Sequence, residues 1–291
     1  MKPSVSLVLS SGGARGVAHI GVIEELERQG FEIRSISGSS MGALVGGIYA
    51  SGNLQVFRDW MCKLDKKAVF NLVDFTISTN GLVKGNKVIK ELKKLVPDEN
   101  IENLPIFFTA VATDIRNKKE VVFDKGSLFE AIRASISVPT VFKPCNLDGM
   151  LLIDGGVVNP LPINRVKRRK NDLLIAVDVS APMSLTEDAP DEKSLINENN
   201  ELSYFSFLLK KRFRFLPKIT GDQLNYYTLL SQSGSMMVQQ ISAMSIEMHQ
   251  PDILIQIPIN SYGPFHFYKS EEIIEAGKLA TQFALTELQV K

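Results

Sequence analysis

Apolar residues recur along this chain in two rhythms. SVSLVL at 4–9, MLLIDGG at 150–156 and LLIAVDVS at 173–180 are short, nearly unbroken apolar runs of the length expected for buried strands. PIFFTAVATDI (105–115), KEVVFDK (119–125) and DILIQIPI (252–259) also read as strands, and a shorter one is expected at 33–37. Elsewhere the apolar positions are spaced by three or four. VAHIGVIEELERQG (17–30) predicts an amphipathic helix closed by Gly30, and SLFEAIRASIS (127–137) one stopped by Pro139. Residues 53–97 read as helix in pieces, clearest in LQVFRDWMCKL and NKVIKELKKL, and further helices are expected at about 223–248 and over SEEIIEAGKLATQFALTEL. The stretch 41–50 is helical but rich in small residues on several faces, which suits a helix buried between neighbours. Strands alternating with helices predict an α/β fold with a largely parallel sheet covered on both sides.

The pattern breaks at 181–222. An acidic polar stretch, TEDAPDEKSLINENNE, gives way to a basic aromatic one, YFSFLLKKRFRFLPK. The expectation is a single domain over 1–291 carrying an insertion or lid at 181–222. Within 204–218, Tyr204, Phe205, Phe207, Phe213 and Phe215 interleave with Lys210, Lys211, Arg212, Arg214 and Lys218. Aromatics mixed with cations suit contact with a lipid headgroup region. A helix that packs its rings on the core and turns its charges to water has the same composition.

Composition narrows the function. A chain of 291 residues, 44% of them hydrophobic, can bury a sizeable core. The net charge of +1 gives no case for a nucleic-acid partner. Cys62 and Cys145 are too few for a disulfide framework. The N-terminal apolar run is short and interrupted by serines, unlike a signal peptide, and no stretch of roughly 18 apolar residues predicts a membrane span. These features predict a cytoplasmic, soluble protein.

Two glycine clusters carry the candidate chemistry. Gly38-Ser39-Ser40-Met41-Gly42 fits G-x-S-x-G, the sharp strand-to-helix turn that exposes a serine nucleophile. A plain tight turn into a small-residue helix would use the same residues. Ser11-Gly12-Gly13-Ala14-Arg15-Gly16 also follows a strand and opens a helix. It is no dinucleotide fingerprint, because G-x-G-x-x-G would need a glycine at Ser11, and no Gly-Lys-Ser/Thr follows for a phosphate loop. Its unobstructed N–H groups suit developing negative charge, such as an oxyanion.

A serine nucleophile needs a proton acceptor. Of the three histidines, His19 suits a structural place on the first helix and His249 lies at a helix end, which leaves His266 as the one triad candidate. Asp154 is the alternative: it ends an apolar strand and is followed by Gly155 and Gly156, and burial there would raise its pKa and make it a better base. An ordinary Asp-Gly turn satisfies the same residues.

In this order, the glycine loop, G-x-S-x-G and Asp154-Gly155-Gly156 resemble the patatin-like phospholipases, serine lipid acyl hydrolases that use a Ser-Asp dyad. AVATDI (110–115), FEAIRASISVPTVFKP (129–144) and DGGVVNPLPI (154–163) are similar to the family as well, and the likeness covers residues 4–180. It implies a three-layer α/β/α sandwich with a mixed, largely parallel central sheet. It further implies Ser40 as nucleophile, Asp154 as base, and Gly12, Gly13 and Ala14 as the oxyanion hole. Gly16 and Arg15 would support the loop, Arg15 by bracing it or by meeting a lipid phosphate, and Gly38 and Gly42 would flank the nucleophile elbow. Ser11 departs from the glycine that many members carry, but a serine still offers its N–H.

The resemblance implies no metal and no cofactor, a lipid or ester substrate, and cleavage of phospholipid or lysophospholipid acyl esters through an acyl-enzyme. Separately, the aromatic and basic composition of 204–218 predicts peripheral contact with the inner membrane surface. An acyltransferase or thioesterase on the same dyad, and a catalytically silent lipid-binding regulator, are the alternative readings.

Overall fold

The computed structural model describes residues 2–72, 86–139, 141–182 and 226–289. Its apolar runs become an eight-stranded mixed sheet. The strands are β1 (Ser4–Leu9), β2 (Glu32–Ser39), β3 (Phe107–Asp114), β4 (Lys119–Phe123), β5 (Cys145–Leu147), β6 (Met150–Asp154), β7 (Leu173–Ala181) and β8 (Ile253–Pro258). They lie in the order β5-β6-β3-β2-β1-β7-β8, with β4 also paired to β3. The central five, β3-β2-β1-β7-β8, are parallel. β4 and β6 run antiparallel to β3, and β5 antiparallel to β6.

Eight α-helices are described: α1 (Ala18–Arg28), α2 (Met41–Ala50), α3 (Leu54–Cys62), α4 (Lys66–Leu72), α5 (Asn86–Leu95), α6 (Leu128–Ser135), α7 (Tyr226–His249) and α8 (Ser270–Gln289). Alternation along β1 sends Val5, Leu7 and Leu9 to one side of the sheet and Val8 to the other. On the first side they meet Ile20 and Ile23 of α1, Val45 and Ile48 of α2, Phe129 and Ile132 of α6, and Ile273 and Ile274 of α8. Each such side chain contributes roughly 1.5–3 kcal/mol on burial. On the second side Val8, Leu161, Ile163, Leu174 and Ala176 form a smaller core against Ile246 of α7. Helices on both faces of a mixed sheet make the expected three-layer α/β/α arrangement.

The register of β3 sets up the site. Residues Ala110 and Val111 pair with both β2 and β4, while Ala112, Thr113 and Asp114 pair with both β6 and β4. A residue has one partner on each edge, so β4 occupies one edge of β3, and β2 and β6 share the other. β2 comes up this edge parallel and β6 comes down it antiparallel. Their ends meet where Ser39 stands opposite Val111 and Asp154 opposite Ala112.

Some boundaries differ from those read in the sequence. Gly13–Val17 wind as a 3-10 turn before α1, because the preceding glycines leave the chain free to tighten there. β2 continues to Ser39, which carries Ser40 to the strand tip. α6 opens on Ser127, whose Oγ accepts the Glu130 N–H at 3.1 Å, and ends at Ser135. β5, a strand of three residues, was not expected. Among the described residues no helix is long and apolar enough to cross a membrane. Nearly all of the expected insertion, including 204–218, lies outside the described residues.

Candidate active site

The site is built at the carboxyl ends of the parallel strands, the usual location in such sheets. β2 ends at Ser39 and α2 begins at Met41, so a single residue, Ser40, makes the turn. It does so at φ 53° and ψ −119°, a conformation that costs a non-glycine residue about 1–3 kcal/mol. Contacts on both sides hold it there. Ser40 N–H donates to Ser135 Oγ at 2.9 Å, and Ser40 C=O accepts the Leu44 N–H at 3.1 Å. The turn is too tight for side chains on its flanks. A Cβ on Gly42 would lie 2.6 Å from the Leu9 carbonyl carbon, and one on Gly38 2.5 Å from that of Gly42. Ser39 Oγ is buried and without a hydrogen-bond partner among the described residues.

Ser40 Oγ does not cap α2; it donates to Asp154 Oδ2 at 2.6 Å. The other carboxylate oxygen, Oδ1, accepts the Gly156 N–H at 2.7 Å. The backbone of Asp154 is pinned as well: its N–H donates to Ser137 O at 3.0 Å and its C=O accepts Thr113 Oγ1–H at 2.9 Å. Burial pushes the Asp154 carboxyl up to about 6, against the hydrogen bonds from Ser40 and Gly156, which pull it down. A group with that pKa is ionised at neutral pH yet basic enough to take a proton, which is what general-base chemistry needs.

The first glycine loop borders this pair. A Cβ on Gly156 would lie 2.9 Å from Ser11 Oγ, and one on Gly16 would collide with Met41 at 2.5 Å. Ser11 N–H is spent on Pro160 O at 2.8 Å. Ala14, which the sequence groups with the oxyanion donors, instead gives its N–H to Pro264 O at 3.0 Å. That acceptor lies far along the chain, and it removes Ala14 from the set of open donors. Among the described residues the Gly12 and Gly13 amides have no such partner, and they remain able to hold an oxyanion.

Arg15 spends its guanidinium inward. Nε donates to Val179 O at 2.9 Å, one terminal nitrogen to Tyr262 O at 3.0 Å and the other to Ser180 Oγ at 3.4 Å. Burial lowers its pKa to about 10, an effect opposed by nearby Asp178, so it stays charged at neutral pH. His19 is wholly buried behind the loop, where its Nε2 contacts Ser10 O at 2.9 Å and burial lowers its pKa to about 4. His266 Nδ1 accepts the Gly263 N–H at 3.1 Å, and His249 closes α7. The Ser40 hydroxyl is thus directed at a carboxylate and not at an imidazole. Among the described residues no cluster of His, Cys, Asp or Glu is arranged to hold a metal ion.

Ser135, Ser137 and Thr113 contact the pair, yet the sequence did not single them out. The nearest signal was a serine at the last position of a helix about to be stopped by Pro139.

Comparison with known proteins bears on the family. A family model described as "Patatin-like phospholipase" matches residues 7–166. An uncharacterized NTE family protein of Mycobacterium tuberculosis is 46% identical over 178 residues, 61% of this chain and 49% of that protein. A protein of Candida albicans named as a lysophospholipase is 30% identical over 280 residues, 94% of this chain and 19% of its own length. The chain therefore spans about half of the first relative and a fifth of the second. Among solved structures, VipD from Legionella pneumophila aligns with 98% of this chain and 67% of its own at 15% identity and a TM-score of 0.47.

Proposed function

The chain belongs to the patatin-like phospholipase family, and from that premise we propose that it is a serine lipid acyl hydrolase working through Ser40 and Asp154. The observation that carries the reading is the 2.6 Å hydrogen bond from Ser40 Oγ to a buried carboxylate whose pKa is raised to about 6. In the proposed reaction Asp154 takes the hydroxyl proton as Ser40 Oγ attacks the ester carbonyl. The Gly12 and Gly13 N–H groups hold the oxyanion, where preorganised donors contribute most. As the tetrahedral intermediate collapses, Asp154 passes the proton to the departing alcohol and an acyl-Ser40 ester remains. Asp154 then deprotonates water, hydroxide attacks the acyl carbon, and the proton returns to Ser40 as the fatty acid leaves.

Arg15 braces the glycine loop in this scheme. Its three hydrogen bonds into the protein support that role over contact with a lipid phosphate. The substrates we propose are acyl esters of phospholipids or lysophospholipids, in keeping with the name of the Candida relative. We further take residues 1–291 as one hydrolase domain with its insertion at 181–222. The departure of the chain at the end of β7 and its return as α7, whose Gln239 side chain donates to Ser180 O at 3.1 Å, support that reading. The aromatic and basic composition of 204–218 supports peripheral contact of a cytoplasmic enzyme with the inner membrane surface.

The deciding experiment is labelling with a fluorophosphonate followed by hydrolysis of a lipid panel. An adduct on Ser40 and release of fatty acid are expected. A protein that takes no label and releases no acid is not this enzyme, and an acyl group transferred to an added alcohol in preference to water would make it a transferase.

A further inference from the structure

The last turn of α6 reaches both members of the dyad. Ser135 Oγ accepts the Ser40 N–H at 2.9 Å and donates its own proton to Val111 O at 2.6 Å. Two residues on, Ser137 C=O accepts the Asp154 N–H at 3.0 Å. Both serines are fully buried, and the turn is itself fastened by Arg133, whose guanidinium donates to Ser137 Oγ at 2.6 Å and to Lys143 O at 3.0 Å. A serine at a helix end commonly bonds a carbonyl of its own helix. Ser135 instead crosses 95 residues of sequence to the nucleophile.

Ser40 sits at a positive φ that its own residue type disfavours, so something outside the elbow must hold the Ser39–Ser40 peptide in place. A hydroxyl suits that task, because it accepts from an N–H and donates to a C=O at once. Rotating the peptide would leave the Ser40 N–H buried without an acceptor, which is strongly disfavoured. We propose that Ser135 is the positioning residue of the nucleophile. Its hydroxyl bridges the Ser40 amide to the Val111 carbonyl of β3, and so aims Ser40 Oγ at Asp154. This role rests on the hydrolase reading above.

The test compares the parent enzyme with Ser135→Ala and Ser135→Thr. Each is measured for kcat and KM on a soluble ester and for the rate of fluorophosphonate labelling at Ser40, normalised to the folded fraction found by circular dichroism. Loss of aim should lower kcat and the labelling rate of Ser135→Ala by about 10- to 100-fold, because small misplacements of reacting groups cost that much. KM should stay within about threefold, since binding precedes the misaimed step. Ser135→Thr keeps the hydroxyl and should recover most of the rate. A Ser135→Ala enzyme whose folded fraction labels as fast as the parent overturns the role while leaving the hydrolase reading intact. A Ser135→Thr enzyme as slow as Ser135→Ala assigns the loss to shape and overturns it too. A parent that takes no label overturns both proposals.

Discussion

Ser39 and Asp154 pair with consecutive residues of one strand, Ser39 opposite Val111 and Asp154 opposite Ala112. Two strands of opposite direction therefore end against each other on a single edge of β3. The residue after the first strand and the last residue of the second are brought within one hydrogen bond, although 114 positions separate them in sequence. The strand ladder brings the two residues together, and the Gly156 N–H on Oδ1 holds the carboxylate beside Ser40 Oγ.

Ser40→Ala is expected to abolish ester hydrolysis, whereas Ser39→Ala keeps activity within a few-fold of the parent. The Ser39 hydroxyl is buried without a partner among the described residues, so its removal leaves nothing newly unpaired. Mass spectrometry of the inhibited protein should find the adduct on Ser40; an adduct on Ser39 would reverse the assignment.

Asp154→Asn should lower kcat by about 10⁴, the order seen when a triad loses a member. His249→Ala and His266→Ala should each remain within a few-fold of the parent. A His266→Ala protein that keeps its circular dichroism spectrum but loses hydrolysis would restore a serine–histidine pairing.

The pH dependence separates activity from stability. Only ionised Asp154 can accept the Ser40 proton, so kcat/KM should fall tenfold per unit below an apparent pKa of about 6. Stability runs the opposite way. The unfolded carboxyl ionises near its ordinary value of 3.8 while the folded one holds its proton to about 6. The unfolded state thus sheds its proton first, and the native state loses about 3 kcal/mol of relative stability between those limits as pH rises. Asp154→Asn removes this pH dependence. The variant should match the parent below about pH 3 and exceed it by up to about 3 kcal/mol at pH 7, measured by urea unfolding. A difference that does not change with pH would contradict the buried, perturbed carboxyl.

Arg15→Lys keeps the charge but not the planar fork that meets Val179 O, Tyr262 O and Ser180 Oγ. A loss of about 2–3 kcal/mol in stability is expected, because buried acceptors are left unpaired. Slower labelling of Ser40 should accompany it as the loop loosens. A melting temperature equal to the parent's would show that these contacts do not brace the loop.

Replacing Phe207, Phe213 and Phe215 by serine should impair hydrolysis of vesicle substrates and spare a short soluble ester, if 204–218 meets lipid. Rates on anionic vesicles should also decline with added salt, which screens charges beyond about 8 Å at physiological ionic strength. Rings packed in a core would each cost roughly 3–5 kcal/mol on removal. Parallel loss on both substrates with a lowered melting temperature would therefore refute the membrane contact.

Much of the fold was legible in the order of apolar runs, because strands buried on both faces cannot hide their composition. The elbow was legible for a related reason: Gly38 and Gly42 stand where backbone meets backbone, and no other residue fits there. β5 was missed because Cys145–Leu147 is too short to show a period. Its real signal was Asp148-Gly149, both at positive φ, the Asp-Gly pair of a tight hairpin. Ala14 and Ser135 were unreadable on other grounds. What decides their roles is a carbonyl at Pro264 and an amide at Ser40, and contacts across such separations leave no trace in local pattern.

The anchoring of Arg15 makes the glycine loop depend on distant parts of the chain. Val179, Ser180 and Tyr262 follow it by 164, 165 and 247 residues, and the acceptor for Ala14 is Pro264. The loop that faces Ser40 therefore cannot complete its anchoring without Tyr262 and Pro264. Contacts this distant in sequence form late. On the proposed reading, a chain cut before residue 262 would keep Ser40 in its turn but lose two of the carbonyls that shape the loop facing it.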